Sequence, residues 1–167
     1  MPAAPDRLLE IYLSDHLAAA SAGAALARRA ARSNAGSEIG VALMRLTAEI
    51  EEDRRTLRRV VADLGFDESK VKELIARGAE KFGRLKLNGQ LRGYSPLSRV
   101  LELEALTVGI TGKLALWQAL QRLPRSEQRL SGVDLDQLVE RALRQRAEVE
   151  EHRLWADEQA FAGGRGS

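Results

Sequence analysis

Apolar residues recur every three or four positions along most of this chain, which is the spacing of helices that bury one face. The first long helix is predicted from a cap at Asp6 to about Arg32, and the second from a cap at Ser37 to a stop at Gly65. The short turn between them, residues 33–36, makes the two an antiparallel hairpin. The predicted core faces comprise Leu9, Leu13, His16, Ala20, Gly23, Ala27 and Ala30 in the first helix, and Ile39, Leu43, Leu46, Ile50, Asp53, Leu57, Val60 and Leu64 in the second.

The second half of the chain predicts another helical hairpin. A Ser-Pro pair at 95–96 is a strong helix start, and the third long helix runs from there to about Leu120. Ser131 with Asp134 opens the fourth helix, which runs to about Ala160. Two such hairpins bury their apolar faces as an all-α, antiparallel four-helix bundle with shallow crossing angles.

About 30 residues link the two hairpins. They predict a short extra helix over residues 67–82, followed by a small hairpin over residues 85–91, where apolar residues alternate around an Asn-Gly pair. A connector of this length permits either an up-down-up-down bundle or one in which the chain crosses over the length of the bundle. Residues 1–162 form one predicted domain, and the glycine-rich residues 163–167 form a flexible tail.

Composition narrows the classes of function. The 167 residues include no cysteine and two histidines, which excludes a disulfide framework, a cysteine nucleophile and a zinc finger. A net charge of +2 is too small to indicate a nucleic-acid-binding protein. The sequence predicts no signal peptide, and no uncharged stretch approaches the roughly 20 residues of a membrane span. We therefore expect a cytoplasmic protein that does not enter the membrane.

Polar residues occupy positions where the helical pattern requires apolar ones. His16 and Asp53 lie near the middle of their faces, each about 18 residues from the first turn, so an antiparallel hairpin sets them side by side. Glu104 and His152 are each about 24 residues from the middle of the second connection. Each hairpin therefore carries one histidine and one carboxylate at a common height. The two pairs meet in an up-down-up-down bundle, whereas a crossover separates them by roughly 20 Å.

Two interpretations of these polar residues stay open. In the first, they bind Fe(II), Mn(II) or Zn(II), with further glutamates as additional oxygen donors. The second, which we favour, is a buried hydrogen-bonded network that includes a His–Asp bond between the first two helices. In this network Arg146 and Arg153 pair with the carboxylates. The full set of predicted ligands in the metal interpretation is His16, Asp53, Glu104, His152, Glu49 and Glu148.

The arrangement resembles ferritin-like bundles, whose inward-facing carboxylates and histidines hold two iron or manganese ions. The segment Leu85 to Leu120 is similar to uncharacterised bacterial proteins grouped with that superfamily, through residues 83–86 (Gly-Arg-Leu-Lys) and 95–99 (Ser-Pro-Leu-Ser-Arg). The family pattern, a Glu on one helix and Glu-x-x-His on its partner, is altered here. His16 replaces a glutamate, the second helix has no histidine, and Glu148 is four residues before His152. The resemblance implies a degenerate metal centre with oxidoreductase chemistry.

The third helix is apolar on nearly all sides. Its apolar surface, together with that of Leu154, Trp155 and Phe161 at the end of the fourth helix, is larger than one bundle core uses. We therefore predict a homodimer through the third and fourth helices. The alanine-rich residues 18–25 either let helices approach closely, which we favour, or leave space for a small ligand. The sequence favours a non-catalytic structural or interaction protein without a cofactor. A degenerate ferritin-like protein that binds iron, manganese or zinc is the alternative.

Overall fold

Four long helices dominate the computed structural model, which describes residues 4–66, 72–73, 76, 93–123 and 130–162. The helices are α1 (Ala4–Ser33), α2 (Glu38–Asp63), α3 (Pro96–Gln121) and α4 (Leu135–Phe161). All four long helices predicted from the sequence are present, and the all-α four-helix bundle is confirmed. None of the described helices combines the length and the apolar character that crossing a membrane requires.

The capping residues explain why α2 and α3 begin where they do. The Ser37 side chain accepts a hydrogen bond from the backbone N–H of Gly40 at the start of α2. Ser95 and Ser98 form a reciprocal capping box at the start of α3, with proline in the first turn. Gly65 follows α2 with a φ of 77°, the left-handed conformation that ends many helices. These three boundaries are confirmed.

Helix α1 starts earlier than the sequence predicts, and the cap of α4 is one of the two residues predicted there. Helix α1 begins at Ala4, so the predicted cap Asp6 lies inside the helix. At α4 the cap is Asp134, whose side chain accepts a hydrogen bond from the backbone N–H of Gln137. Asp134 stands directly before the helix, whereas Ser131 lies in the preceding turn.

Helix α2 ends and helix α3 begins at opposite ends of the bundle. The amino end of α3 lies beside the α1–α2 turn, where Asn34 donates to Tyr94 Oη at 2.7 Å and accepts from Arg99 Nε at 2.6 Å. Helix α2 has 26 residues and ends about 39 Å away, at the opposite end of the bundle. Helix α3 therefore runs parallel to α2 and antiparallel to α1 and α4. Of the two topologies that the sequence permits, the crossover is observed.

The predicted short helix (67–82) and small hairpin (85–91) belong to this connection and lie outside the described residues. Within these two segments the structure describes only Lys72, Glu73 and Ala76, which are helical.

Helix α1 packs against α2 and α3, and α4 packs against α3 and, to a smaller extent, α2. The buried residues form two core clusters that follow one another along the bundle axis. Helix α3 packs against both α1 and α4, which accounts for apolar residues on more than one of its sides. The cluster at the carboxyl end of α2 contains Leu13, Leu17, Leu57, Val60, Val61, Leu64, Leu114, Leu116, Trp117, Leu120, Leu130, Leu138 and Ala142. The alanine-rich cluster near the α1–α2 turn contains Ala24, Ala27, Ala30, Ala31, Ile39, Leu43, Leu46, Ile50, Val100, Leu103, Leu106, Ile110, Val149 and Ala156.

Candidate functional site

Two of the predicted site residues, His16 and Asp53, line one cavity between α1, α2 and α3. Asp53 is buried, with 3% of its surface exposed, and His16 is half-buried. Their common height in the first hairpin is as the sequence predicts, but the predicted hydrogen bond between them is wrong. Within the described part of the chain, the Asp53 carboxylate bonds to Lys113 and Arg141 instead.

Glu104 and His152 lie elsewhere along the bundle. Glu104 is exposed on α3, nine residues before Lys113, which places it about 13 Å along the axis from the level of Asp53. His152 is half-buried on α4, seven residues or about 10 Å beyond Gln145, which bonds to Lys113. Because the chain crosses over, the four residues do not converge. Among the described residues, no group of three or more His, Cys, Asp or Glu side chains could hold a metal ion.

A buried polar network, here called the central network, joins α2, α3 and α4 through Asp53, Lys113, Arg141, Gln145 and Glu49. Lys113 Nζ donates to one carboxylate oxygen of Asp53 at 2.5 Å, and Arg141 Nη1 donates to the other at 3.0 Å. Lys113 also donates to the side-chain oxygen of Gln145, whose Nε2 donates to Glu49 at 2.7 Å. Both oxygens of the buried carboxylate therefore have a cationic partner, each from a different helix.

Burial and charge oppose each other at the two cations of the central network. Burial lowers the pKa of Lys113, and the carboxylate of Asp53 works against this shift. Burial by itself lowers the pKa of Arg141 as well, but the carboxylates of Asp53 and Glu52 outweigh it and raise that pKa. The Arg141 guanidinium lies 3.1 Å from Glu52. Each buried charge is in direct contact with an opposite charge, as buried ions require.

The two further oxygen donors that the sequence predicts, Glu49 and Glu148, also have protein partners. Glu49 accepts from Gln145 and lies 3.7 Å from the guanidinium of Arg144. Glu148 on α4 pairs with Arg45 on α2. Both carboxylates therefore take part in contacts that link α2 to α4.

The arginines predicted to pair with the buried carboxylates are the wrong ones. Arg146 is exposed, and Arg153 donates to Glu150 and Asp157 on its own helix. Helix α4 carries arginines on several faces, so its weak apolar periodicity does not identify the one that points to the core.

One signal in the sequence could have identified Lys113. It is the only charged residue between Glu104 and Arg122, in a helix that is otherwise uncharged over that stretch. Arg141 shares a helix face with Leu138, three residues before it, and Gln145, four residues after it, but that this face is buried is seen only in the structure.

A cavity of about 210 Å³ lies beside the central network. Its walls are mainly apolar, and many of the residues from α1 and α3 that face it are small. A methyl group added at Gly23, Gly109 or Gly112 would meet no atom within 4 Å. Part of the alanine-rich run of α1 therefore leaves space, where we predict close helix approach from the sequence. The cavity is lined by His16, Ala19, Ala20, Gly23, Ile50, Asp53, Arg54, Leu57, Ala105, Leu106, Val108, Gly109, Ile110, Gly112, Lys113, Leu116 and Trp117.

Two ring side chains with polar atoms line this cavity. Trp117 is 1% exposed, and its indole nitrogen is buried without a hydrogen-bond partner among the described residues. His16 packs edge-on against the ring of Tyr12, with centroids 4.5 Å apart. Burial lowers the pKa of His16, and Asp15 only partly opposes this, so the imidazole is uncharged at neutral pH.

A second polar cluster lies beside the turn between α1 and α2. It is here called the turn end and consists of Asn34, Gly40, Tyr94, Arg99 and Glu102. Asn34 is 4% exposed and exchanges hydrogen bonds with Tyr94 and Arg99. Tyr94 donates to Glu102 at 3.1 Å, and the Arg99 guanidinium lies 5.8 Å from the centre of the Tyr94 ring. These contacts fasten the start of α3 to the first hairpin.

No protein-family model, curated protein or solved structure matches this chain. Its own contacts are therefore the basis on which function can be inferred.

Proposed function

We propose that this protein is a non-catalytic structural or interaction protein, and that the central network holds its helices in register. The observation that carries the proposal is the pairing of Asp53, whose two oxygens accept from Lys113 at 2.5 Å and from Arg141 at 3.0 Å. A cation that approached this carboxylate would meet two positive charges already in contact with the same oxygens, and these charges would repel it.

The geometry of the central network suits a role in alignment. Its carboxylate comes from α2, and its cations come from α3 and α4. A slip of one helix by a single turn, about 5.4 Å, would leave a buried charge without its partner. Competing alignments of the helices are therefore disfavoured by the cost of burying an unpaired ion.

A second candidate is a degenerate ferritin-like protein that binds iron, manganese or zinc and carries oxidoreductase chemistry. One observation favours it: the α2–α3 connection crosses the bundle, and a single long crossover is typical of ferritin-like folds. In this alternative His16 and Asp53 are the ligands at the cavity, and metal binding displaces Lys113 from Asp53.

Metal analysis separates the two candidates. Protein purified without chelators and measured by inductively coupled plasma mass spectrometry is expected to contain far less than one transition-metal ion per chain. We also expect EDTA to leave the thermal unfolding midpoint unchanged. A stoichiometric metal that is lost, together with stability, in Asp53→Ala and His16→Ala would establish the alternative. Glu140→Ala, at an exposed carboxylate on α4, is the control.

The proposal includes self-association of the bundle through α3 and α4 and a cytoplasmic location. Leu154, Trp155 and Phe161 on α4 are 51%, 45% and 64% exposed, which supports an apolar contact with a second copy. Analytical ultracentrifugation is expected to detect a dimer that weakens in Leu154→Ser/Phe161→Ser. A protein that stays monomeric at high concentration would contradict this part of the proposal.

A further inference from the structure

We propose that α4 packs against α4 of a second copy of this chain, with the two helices antiparallel and a two-fold axis near residue 152. This inference rests on the self-association that the proposed function includes. It adds which face of the bundle makes the contact and in which direction the second copy lies. The exposed apolar residues of α4 identify the face, and the charges among and beside them identify the direction.

A line of exposed apolar residues runs along the solvent side of α4. It is here called the α4 stripe and consists of Leu143, Ala147, Leu154 and Phe161. Successive members are four, seven and seven residues apart, so all four lie on one face of the helix, at the spacing that paired helices use. The buried residues Val149 and Ala156 belong to another side of α4, which packs into the core. The α4 stripe is therefore an apolar face in addition to the one that the bundle buries.

A second copy matches the α4 stripe when it runs in the opposite direction. Leu143 and Phe161 are each nine residues from residue 152, on opposite sides of it, so Leu143 of one copy lies level with Phe161 of the other. Leu154 is two residues from the axis, and its two copies are therefore about 6 Å apart along the helix direction. Apolar contacts form at both ends and at the centre. The same residues also match in a parallel pair, so the direction depends on the charges.

Two carboxylates interrupt the α4 stripe, and they disfavour the parallel direction. Glu150 and Asp157 accept from Arg153 at 2.6 Å and 2.7 Å, so each chain has one cation for two carboxylates. In a parallel pair each carboxylate would lie against its own copy, and like charges placed in this way repel. In an antiparallel pair Glu150 lies level with Leu154 of the other copy. Asp157 lies level with Ala147, so the like charges are kept apart.

An arginine and a glutamate beside the stripe add an attraction to the antiparallel pair. Arg144 and Glu158 are exposed and lie on one flank of the stripe, fourteen residues apart. The same flanks of two antiparallel helices face each other. Because the two residues are eight and six residues from the axis, Arg144 of one copy is within about 3 Å of the level of Glu158 of the other. Two such contacts form, one on each side of the axis.

The remaining charges beside the stripe have smaller effects. The antiparallel pair places Glu151 near its own copy, but this residue is exposed and water screens the repulsion. A parallel pair would bring Arg146 towards Glu151, and both are exposed. An exposed ion pair of this kind is weak and does not offset like charges within the contact. The antiparallel direction is therefore favoured.

Cysteine cross-linking tests the direction, because the chain has no cysteine of its own. Full-length Leu143→Cys/Phe161→Cys, oxidised with copper phenanthroline, is expected to form a covalent dimer on a non-reducing gel. Each single variant is expected to stay monomeric on the gel, because its two cysteines are about 27 Å apart along the axis and a disulfide spans about 7 Å between Cα atoms. The exposed α2 variant Val41→Cys measures cross-linking by random collision.

Charge reversal tests the register, with the Kd of the dimer measured by analytical ultracentrifugation at low ionic strength. Arg144→Glu and Glu158→Arg are each expected to weaken the dimer about tenfold, since each replaces two attractions with two repulsions. The double variant is expected to return to within about threefold of the wild type. This recovery cannot arise within one chain, where the two residues are about 21 Å apart. The α2 variant Arg58→Glu makes the same change of net charge at an exposed site and is expected to leave the Kd unchanged.

The possible failures are distinguishable. Cross-linking of either single variant, or no more cross-linking in the double cysteine variant than in Val41→Cys, would overturn the antiparallel contact and leave self-association standing. Charge reversals that do not change the Kd, in variants whose circular dichroism equals that of the wild type, would do the same. Wild-type protein that stays monomeric would overturn this inference together with the self-association on which it rests.

Discussion

The turn end and the middle of the bundle use glycine in opposite ways. At the turn end, a methyl group on Gly40 would lie 2.1 Å from the backbone oxygen of Asn34, so no larger residue fits without moving the chain. Beside the central network, Gly23, Gly109 and Gly112 have open space where a methyl group would go. Packing requires glycine in the first region and does not require it in the second. The glycines of the cavity are therefore not explained by close packing in this structure.

The polar groups of the two regions differ in the exposure of their partners. Glu102 at the turn end is 6% exposed but accepts from Arg29, whose side chain is 53% exposed and stays hydrated. Asp53 is 3% exposed, and the side chains of Lys113 and Arg141 are 14% and 13% exposed. Water can replace a lost partner at the turn end far more easily than in the central network. The central network therefore depends more strongly on each of its members.

The largest expected effect comes from removing the central carboxylate. Asp53→Ala leaves Lys113 and Arg141 without their shared counter-ion and is expected to cost about 3–5 kcal/mol of unfolding free energy. Glu102→Ala is the matched change at the turn end and is expected to cost about 1 kcal/mol, because Arg29 can turn to water. Urea denaturation of both variants measures the difference. Equal costs would show that the two clusters are energetically alike.

The substitution Gly40→Ala is expected to have the next largest effect on stability. Alanine is the better helix former, yet the contact with Asn34 must be relieved by moving the chain, at a net cost of about 1–3 kcal/mol. Movement would also disturb the hydrogen bond from the Gly40 N–H to Ser37. The thermal unfolding midpoint is expected to fall. A midpoint equal to or above that of the wild type would mean that the turn end tolerates the added methyl group.

Gly112→Ala is expected to act in the opposite direction. The added methyl group enters open space and removes the conformational freedom of glycine in the unfolded chain, a gain of about 0.5–1 kcal/mol. The same thermal unfolding assay measures it beside Gly40→Ala. Destabilisation by Gly112→Ala would indicate that the space beside α3 is smaller than the structure shows.

The smallest expected effect is a pH dependence at the cavity. The pKa of His16 is lowered from 6.5 by burial, so the unfolded chain binds more protons in the range just below pH 6.5. Stability is therefore expected to fall as the pH decreases through this range, and part of that fall is expected to disappear in His16→Gln. Urea midpoints at about pH 7 and about pH 5 for both proteins measure it. Identical pH dependence in the two proteins would show that His16 is not shielded from water.

The elements of this bundle could be predicted from sequence because local signals specify them. Ser37 and Ser95 cap their helices through contacts within one turn, and Gly65 ends α2 through its own backbone angles. The crossover could not be predicted in this way. Helical periodicity indicates which faces are buried. It does not indicate at which end of the bundle the helix after a connector of about 30 residues begins.

The candidate site could be predicted only in part, for a related reason. Asp53 and His16 stand out because they interrupt apolar faces, and a single hairpin fixes their relative height. The partners of Asp53 depend on how two hairpins dock, so a sequence pattern within one helix could not distinguish Arg141 from Arg146. The cavity depends on docking as well, since a small-residue face such as that around Gly23 is compatible with close approach and with open space.

A double-mutant cycle on Asp53 and Lys113 tests most directly whether the central network is a structural ion pair. The cycle compares the unfolding free energies of the wild type, Asp53→Ala, Lys113→Met and the double variant in urea. If the pair is structural, the double variant is expected to cost at least 1 kcal/mol less than the sum of the single variants, because the second change removes a charge that the first left unpaired. Costs that add to within about 0.5 kcal/mol would contradict the account, since independent sites behave in that way.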